Sequence, residues 1–467
     1  MAVKTSSTVQ PEVHVPLVVV GAGACGLTAA LSAAELGVPV LVLERDAQPT
    51  GSTSLSAGLI PAAGTRLQRA RGIPDSAEQF AQDLLEKAHH ENDARMVHAV
   101  AQASGAVVDW LMDAHNLDLR LVEGFLFPGH RYCRMHGPPS QTGADLQNML
   151  LAAVHATDID IMTSASVEDL HVDATDRITA VSFRRPDGML ETVGCAALIL
   201  ACNGFGGNPK KVSQYIPEMA RADYCGHPSN TGDALDWGLA LGAQTADLGA
   251  YQGHGSVCVP HNLPLTWAAT SLGGFQVNRE GRRFANEMLG YSEHAREVLR
   301  QTDGMAWMIF DARCEVPAMG FEDYRQIHAL GGIRQADSVQ TLAQITGLPL
   351  AALQDTLDHV AAYARGEQSD PLGRDFTQHP PLEPPYRVAK VHGALFHTQG
   401  GLVIDIDARV LGRNGQPLPN LFAGGGAARG LSGSGAHGYL SGNGLLSAVV
   451  FGRFAGLAAA RQVTEHT

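Results

Sequence analysis

The sequence predicts an α/β fold whose parallel-sheet core is assembled from distant parts of the chain, and three observations predict it. Residues 17–26 read LVVVGAGACG, an apolar strand running into glycines at dinucleotide-fingerprint spacing, and a second apolar strand, LVLE, follows at 41–44. From 159 to 200 the pattern changes to period two and ends in an apolar return strand, AALILACNGFGG at 196–207. After a helix-rich stretch at 253–386, strand and glycine-turn signals resume at 387–467. The expected organisation is a Rossmann-like nucleotide domain in two pieces, 1–252 and 387–467, with an inserted β-meander and an α+β capping domain at 253–386.

The fingerprint carries the first chemistry. Gly21 allows the tight turn, Gly23 lets the backbone approach a pyrophosphate, and Gly26 lets helix and strand pack closely. Ala22, Ala24 and Cys25 lie between them, where the helix N-terminus offers N–H groups to phosphate. Glu44 ends the second strand, where an acid binds ribose hydroxyls, and Arg45 follows it. Residues 51–58 (GSTSLSAG) add the hydroxyls of Ser52, Thr53, Ser54 and Ser56, with Ala57 and Gly58 closing the loop. Further candidate cofactor contacts are Val167 in the meander and Ala201, Cys202, Asn203 and Gly204 after the return strand. Asn230 and Asp233, at a helix start, serve as cap or ligand contact. Gly425 and Gly426 close a late turn, and Asn443, Gly444, Leu445 and Leu446 open the last helix.

Helical periodicity predicts helices over 26–36, 77–90, 93–115, 292–300, 339–347 and 350–365. Strands are expected at 167–172, 178–183 and 190–193, with a PDG turn at 186–188 between the last two. Residues 129–137 (GHRYCRMHG) read as a surface loop or pocket edge, since two histidines without Cys or carboxylate support make no metal site. Trp110, Phe125 and Phe127 are candidates to line an apolar pocket, and Arg282 and Arg283 read as structural ion-pair formers.

Composition narrows the partners. The 467 residues suffice for two or three domains, and the formal net charge is -14 with no basic cluster, which argues against nucleic acid. Seven scattered cysteines without a CxxC pair read as reduced thiols of a cytoplasmic protein. Residues 1–14 lack the apolar core of a signal peptide. The apolar stretch 445–460 is broken by Gly452, Arg453 and Gly456, so a buried helix is expected rather than stable membrane insertion.

Taken in order, the motifs resemble the fumarate reductase and 3-ketosteroid dehydrogenase flavoproteins. The carrying residues are the fingerprint with Glu44, ACNGFG at 201–206, NTGDA at 230–234, GRRFANE at 281–287, HTQGG at 397–401 and the glycine-rich stretch 442–452. The resemblance implies FAD, bound non-covalently because 51–58 contains no histidine, together with a mobile capping domain. Two departures narrow the reaction. Where the reductases carry a proton-donating arginine four residues after the motif glutamate, this chain has Tyr291. Where they carry a carboxylate-clamping arginine before the last glycines, it has Tyr439. Two phenols do not supply the bidentate charged contact that a dicarboxylate prefers.

Ketosteroid dehydrogenases resemble this arrangement, and the Tyr-x-Ser of Tyr439 and Ser441 looks closest to the ketone α,β-dehydrogenases, of cyclohexanone dehydrogenase type. The expected activity is FAD-dependent desaturation of a saturated cyclic ketone, with a larger steroid ring or reduction of an unsaturated acid as alternatives. Tyr439 and the Gly442 N–H are expected to polarise the carbonyl, and Tyr291 to take the α-proton with help from His294. The β-hydride is expected to go to flavin N5. His397 matches a substrate-side histidine of the reductases. No second nucleotide fingerprint, haem motif or iron–sulfur cysteine set is present, so the electrons are expected to pass to an external acceptor.

Overall fold

The computed structural model describes residues 2–5, 11–124 and 126–465; Phe125, one of the expected pocket residues, lies outside them. Its centre is a sheet in which Asp160–Met162, Val40–Leu43, Val13–Val20, Leu190–Leu200 and Pro417–Ala423 run parallel in that spatial order. The strands at 17–20, 40–43 and 197–200 are apolar throughout and buried, as strands covered on both faces require.

The meander arises within this sheet. Ser166–Val172 and Ile178–Arg184 pair antiparallel with each other, and the latter pairs with 190–194. Residues 190–200 form one continuous strand: its first half belongs to the meander and its second half lies between Val13–Val20 and Pro417–Ala423.

Helix Ala24–Ala34 follows the fingerprint, and the last helix, Asn443–Glu465, packs along it. Their approach is close because a Cβ at Gly456 would stand 2.2 Å from the Ala29 carbonyl oxygen. Asn443–Glu465 is long and apolar enough to cross a membrane by length and composition, yet most of its apolar stretch is buried within the fold. The expected helices occur at 77–87, 94–113, 291–299, 339–346 and 350–364.

The middle of the chain contains more sheet than its pattern suggested. Tyr251–Cys258, Met305–Asp311 and Phe275–Val277 join the long strand Tyr386–Thr398 in a seven-stranded sheet. The expected boundary at 387 therefore cuts that strand, and the return to the first sheet begins after Thr398. Glycines and histidines in YQGHGSVC obscured the period-two signal. All seven cysteines are free thiols.

Candidate active site

One cleft runs from the fingerprint to the two tyrosines. Its nucleotide end forms at the carboxyl edge of the parallel strands, where open α/β sheets bind ligands. Gly21 has φ +104° there, and a Cβ on it would lie 2.6 Å from the Ala201 carbonyl oxygen, so only glycine makes this turn. The N-cap of helix Ala24–Ala34 is Gly23, which has no side chain to cap it, so the helix N-terminus faces the cleft with only the Ala24 N–H taken by a side chain, that of Thr53.

Glu44 lines the cleft with both carboxylate oxygens anchored: one accepts from the Ala22 N–H at 2.8 Å, the other from Asp46 N–H at 3.0 Å. Thr53 Oγ1 accepts from the Ala24 N–H at 2.9 Å. Ser52 Oγ accepts from Asn230 Nδ2 at 2.8 Å, and Arg45 pairs with Asp233 at 2.7 Å. The cap of helix Asp233–Ala240 is Gly232, so Asn230 and Asp233 contribute cross-cleft bonds instead of capping.

Gly21, Gly23, Ala24, Cys25, Glu44, Arg45, Ser52, Thr53, Ser56 and Ala57 reach the cleft from the first half of the chain. Val167, Ala201, Cys202, Asn203, Asn230 and Asp233 follow, with Gly425, Gly426, Gly442, Gly444 and Leu445 from the last segment. The other expected contacts stand behind the wall. Ala22 anchors Glu44 through its N–H, and Gly26 packs on the Gly21 carbonyl. Gly58 packs on the Thr142 carbonyl, and Gly204 on the Thr398 hydroxyl. Ser54 donates to the Thr50 carbonyl at 2.8 Å. Asn443 and Leu446 are buried in the last helix.

Trp110 does not belong to the site. It sits on helix Ala94–Asp113, where its indole N–H bonds Glu35 and the Arg453 guanidinium lies 3.9 Å over its ring. Those contacts clamp three helices together on the far side of the nucleotide domain. Phe127 does line the cleft.

The substrate end is built by the second sheet and the return segment. The Arg-Phe-x-Asn-Glu motif anchors the loop that delivers Tyr291. Glu287 is buried and bonds Arg283 at 2.8 Å, Arg374 at 3.0 Å and the Gln276 N–H at 3.1 Å. Burial pushes its carboxyl up, but the two guanidinium groups outweigh that and hold it at about 2. Gly290 then turns the chain at φ +137°, and Tyr291 opens helix Tyr291–Leu299. Ser292 staples that helix to Tyr251–Cys258, accepting from Gly253 N–H at 2.9 Å and donating to the Tyr251 carbonyl at 3.1 Å. Glu293 pairs with Lys87 across the cleft mouth, on helix Ala77–Lys87.

Tyr291 and Tyr439 face each other with ring centroids 6.0 Å apart. Burial raises the Tyr291 phenol to about 12, although hydrogen bonds from Ser441 and Tyr439 pull it down. Burial, with Tyr291 beside it, raises Tyr439 further, while the backbone N–H groups of Gly442 and Gly444 contact its hydroxyl and oppose the rise. Both phenols are therefore neutral near pH 7, and Tyr291 is the easier of the two to deprotonate.

The expected helper, His294, is occupied elsewhere: its Nε2 meets Gln276 Oε1 at 3.2 Å and its ring stacks on Phe284. The ring stacked on Tyr291 is His254, 5.2 Å away, with Trp267 edge-on to both. His254 Nδ1 accepts from Ser256 N–H at 3.2 Å, which makes Nε2 the N–H donor of the neutral ring. Burial, helped by His294 and His392, lowers its pKa to about 3.

His397 lines the same cleft, and its Nδ1 accepts from Gln399 Nε2 at 2.8 Å. Burial lowers it to about 4, so it too presents a neutral Nε2–H. Register explains the clustering: Gln252 pairs with His397 and His254 with Ala394, so residues far apart in sequence share one sheet face. The 129–137 segment supplies the pocket edge, with Met135 in the wall and His130 Nε2 bonded to the Ser441 carbonyl at 3.0 Å.

Among the described residues lining the cleft, Arg45 is the sole Arg or Lys, and Asp233 neutralises it at the nucleotide end. The substrate end therefore offers neutral donors: two phenols, two imidazoles and the N–H groups at the start of the last helix.

The sequence matches the FAD binding domain family over residues 17–445. The chain belongs to this family. The open helix N-terminus at Gly23, the anchored Glu44 and the second helix start at Gly442 fit that cofactor along the cleft. A probable fumarate reductase of Shewanella frigidimarina is 28% identical over 460 residues, covering 97% of this chain and 76% of the relative. A urocanate reductase of Eggerthella lenta is 28% identical over 467 residues, covering 96% and 74% respectively. A flavocytochrome c3 fumarate reductase in its open conformation superimposes with a TM-score of 0.81 at 28% identity, over 97% of this chain and 79% of that one. A 3-ketosteroid-delta4-(5alpha)-dehydrogenase of Rhodococcus jostii shares the fold, with a TM-score of 0.77 at 23% identity, over 98% of this chain and 100% of that one. The protein is thus an FAD-dependent oxidoreductase, similar in sequence to fumarate and urocanate reductases.

Proposed function

We propose that this enzyme desaturates a saturated cyclic ketone to the α,β-unsaturated ketone, using non-covalently bound FAD and an external electron acceptor. The observation that carries the reading is the substrate end of the cleft, where two facing tyrosines and neutral imidazoles stand without any arginine or lysine. A neutral donor set stabilises an enolate-like oxygen. It does not repay the desolvation of a dicarboxylate.

Tyr439 O–H, its oxygen held by the Gly442 and Gly444 N–H groups, bonds the carbonyl oxygen, which makes the α-hydrogen acidic. Tyr291, ionised with its proton released to bulk water, accepts that hydrogen as a proton at its phenolate oxygen. The neighbouring carbon must lose its hydrogen with both electrons, for which FAD supplies the two-electron acceptor when bound. His254, stacked on Tyr291, holds the phenol ring in line, and His397 offers its Nε2–H to the polar edge of the substrate.

The Ser52–Ala57 wall carries no histidine, and His227 nearby is engaged by Asp46 at 3.1 Å and Ser229 at 2.7 Å, which supports a non-covalent cofactor. Reduction of an unsaturated acid is the second reading. His397 and the relatives favour it, and the lack of Arg or Lys at the substrate end among the described residues opposes it.

The test is anaerobic flavin bleaching by a panel of cyclic ketones, set against fumarate reduction with an artificial donor. Bleaching by a saturated cyclic ketone, with formation of the enone, is the expected result. Faster fumarate reduction than oxidation of any ketone would overturn the proposal.

A further inference from the structure

One carboxylate in the cleft wall has no part in the chemistry above. Asp323 sits in the first turn of helix Glu322–Ala329, which packs against Leu263–Pro264. Pro264, Thr266, Trp267 and Phe321, all apolar or neutral, line the same cleft. Glu322, next to it, turns away to Arg325 at 2.6 Å and Gln326 at 3.0 Å.

Among the described residues, no arginine, lysine or histidine forms an ion pair with Asp323. An acid placed in a first turn only to suit the helix dipole would ordinarily be lowered in pKa. Burial, reinforced by Glu322, instead raises this one to about 6. It is a carboxylate near pH 7, partly desolvated, and without a cationic partner.

Asp323 reaches the cleft from a different element from the reacting pair. Its helix packs on Leu263–Pro264, whereas Tyr291 opens helix Tyr291–Leu299 and His254 lies in Tyr251–Cys258. A substrate whose carbonyl lies between Tyr291 and Tyr439 also has a second, remote end.

We propose that Asp323 reads that remote end, selecting a ketone that carries a hydrogen-bond donor there, such as a hydroxyl, and rejecting one that carries a carboxylate. The proposal rests on the ketone reading above and deepens it. An unpaired carboxylate is acceptor-only, so a donor satisfies it, an apolar group leaves it unsatisfied, and a second carboxylate repels it. Discrimination of this kind, built on a buried polar group, exceeds what an apolar pocket achieves.

The test compares wild type with Asp323→Asn and Asp323→Leu, each loaded with FAD. Cyclohexanones bearing a methyl, a hydroxyl-tipped or a carboxylate-tipped arm opposite the carbonyl, over several arm lengths, are scored by anaerobic bleaching. Wild type should prefer the best hydroxyl arm over the matched carboxylate by about tenfold or more in kcat/KM. Asp323→Asn should reduce that ratio to about threefold or less; an unaltered ratio overturns the proposal.

Phenols carrying the same arms are titrated in parallel against the flavin absorbance, which requires no turnover. Carboxylate-armed phenol should bind Asp323→Asn about tenfold more tightly than wild type, and plain phenol should bind both alike. That result with no ketone turnover would remove the ketone reading and leave Asp323 as the selector. Equal binding of the carboxylate probe by all three proteins would remove Asp323.

Discussion

Replacing Tyr291 by phenylalanine removes one hydroxyl and little else. The ring retains its stack on His254 at 5.2 Å and its edge contacts with Trp267 and Tyr439, each at 6.0 Å between centroids. Of the partners left behind, Tyr439 keeps the N–H groups of Gly442 and Gly444, and the Ser441 hydroxyl loses its bond to the phenol. The stability cost should therefore be about 1 kcal/mol, the net worth of an ordinary hydrogen bond. The catalytic cost should be about 10²- to 10⁴-fold, the usual range for loss of a general base.

The pH profile gives an independent signature. Burial holds the Tyr291 phenol at about 12, so the base exists only in its deprotonated fraction, which grows tenfold per pH unit below that value. Wild-type ketone oxidation should rise with pH across the neutral and mildly alkaline range, and the phenylalanine variant should lose that slope. The assay is stopped-flow flavin bleaching under anaerobic conditions, with flavin content and thermal midpoint measured on the same preparations. A loss of less than tenfold, or a variant that keeps the wild-type slope, would refute Tyr291 as the base.

Two further predictions concern the scaffold. Tyr439→Arg places a cation against the Gly442 and Gly444 N–H groups and should abolish ketone oxidation while flavin stays bound; a variant still oxidising ketones well excludes Tyr439 from carbonyl activation. Glu287→Gln leaves Arg374 buried with a neutral partner and Arg283 with Asp370 alone, and should destabilise the fold by about 3 kcal/mol at pH 7 in chemical denaturation. The Glu287 carboxyl is lowered in the folded state, so its contribution is present above its unfolded value of 4.5 and lost as pH falls toward about 2. The difference between the two proteins should narrow over that window, and a pH-independent difference counts against the charge explanation.

The nucleotide end was legible because its chemistry is local. Strand, glycines, helix and acid occupy residues 17–44, and the backbone geometry they need is written in the residue types. The two tyrosines were legible through resemblance, as departures at motif positions. The wall around them was not. His254, Trp267 and Asp323 reach the cleft from separate elements, and no spacing announces that. Helical spacing made His294 look like the partner of Tyr291, but tertiary contact gave that place to a histidine on another strand. Trp110 misled because an amphipathic helix reveals which face is buried but not against what; here it meets Glu35 and Arg453.

By itself, then, the sequence determined the α/β class, the nucleotide fingerprint and, through resemblance, the two motif positions that hold tyrosines. The tertiary structure decided what surrounds them. Strand register placed Gln252 opposite His397, a buried ion-pair cluster set the loop that carries Tyr291, and burial held both phenols and both imidazoles neutral. Those properties depend on desolvation and long-range pairing, which a linear pattern does not encode.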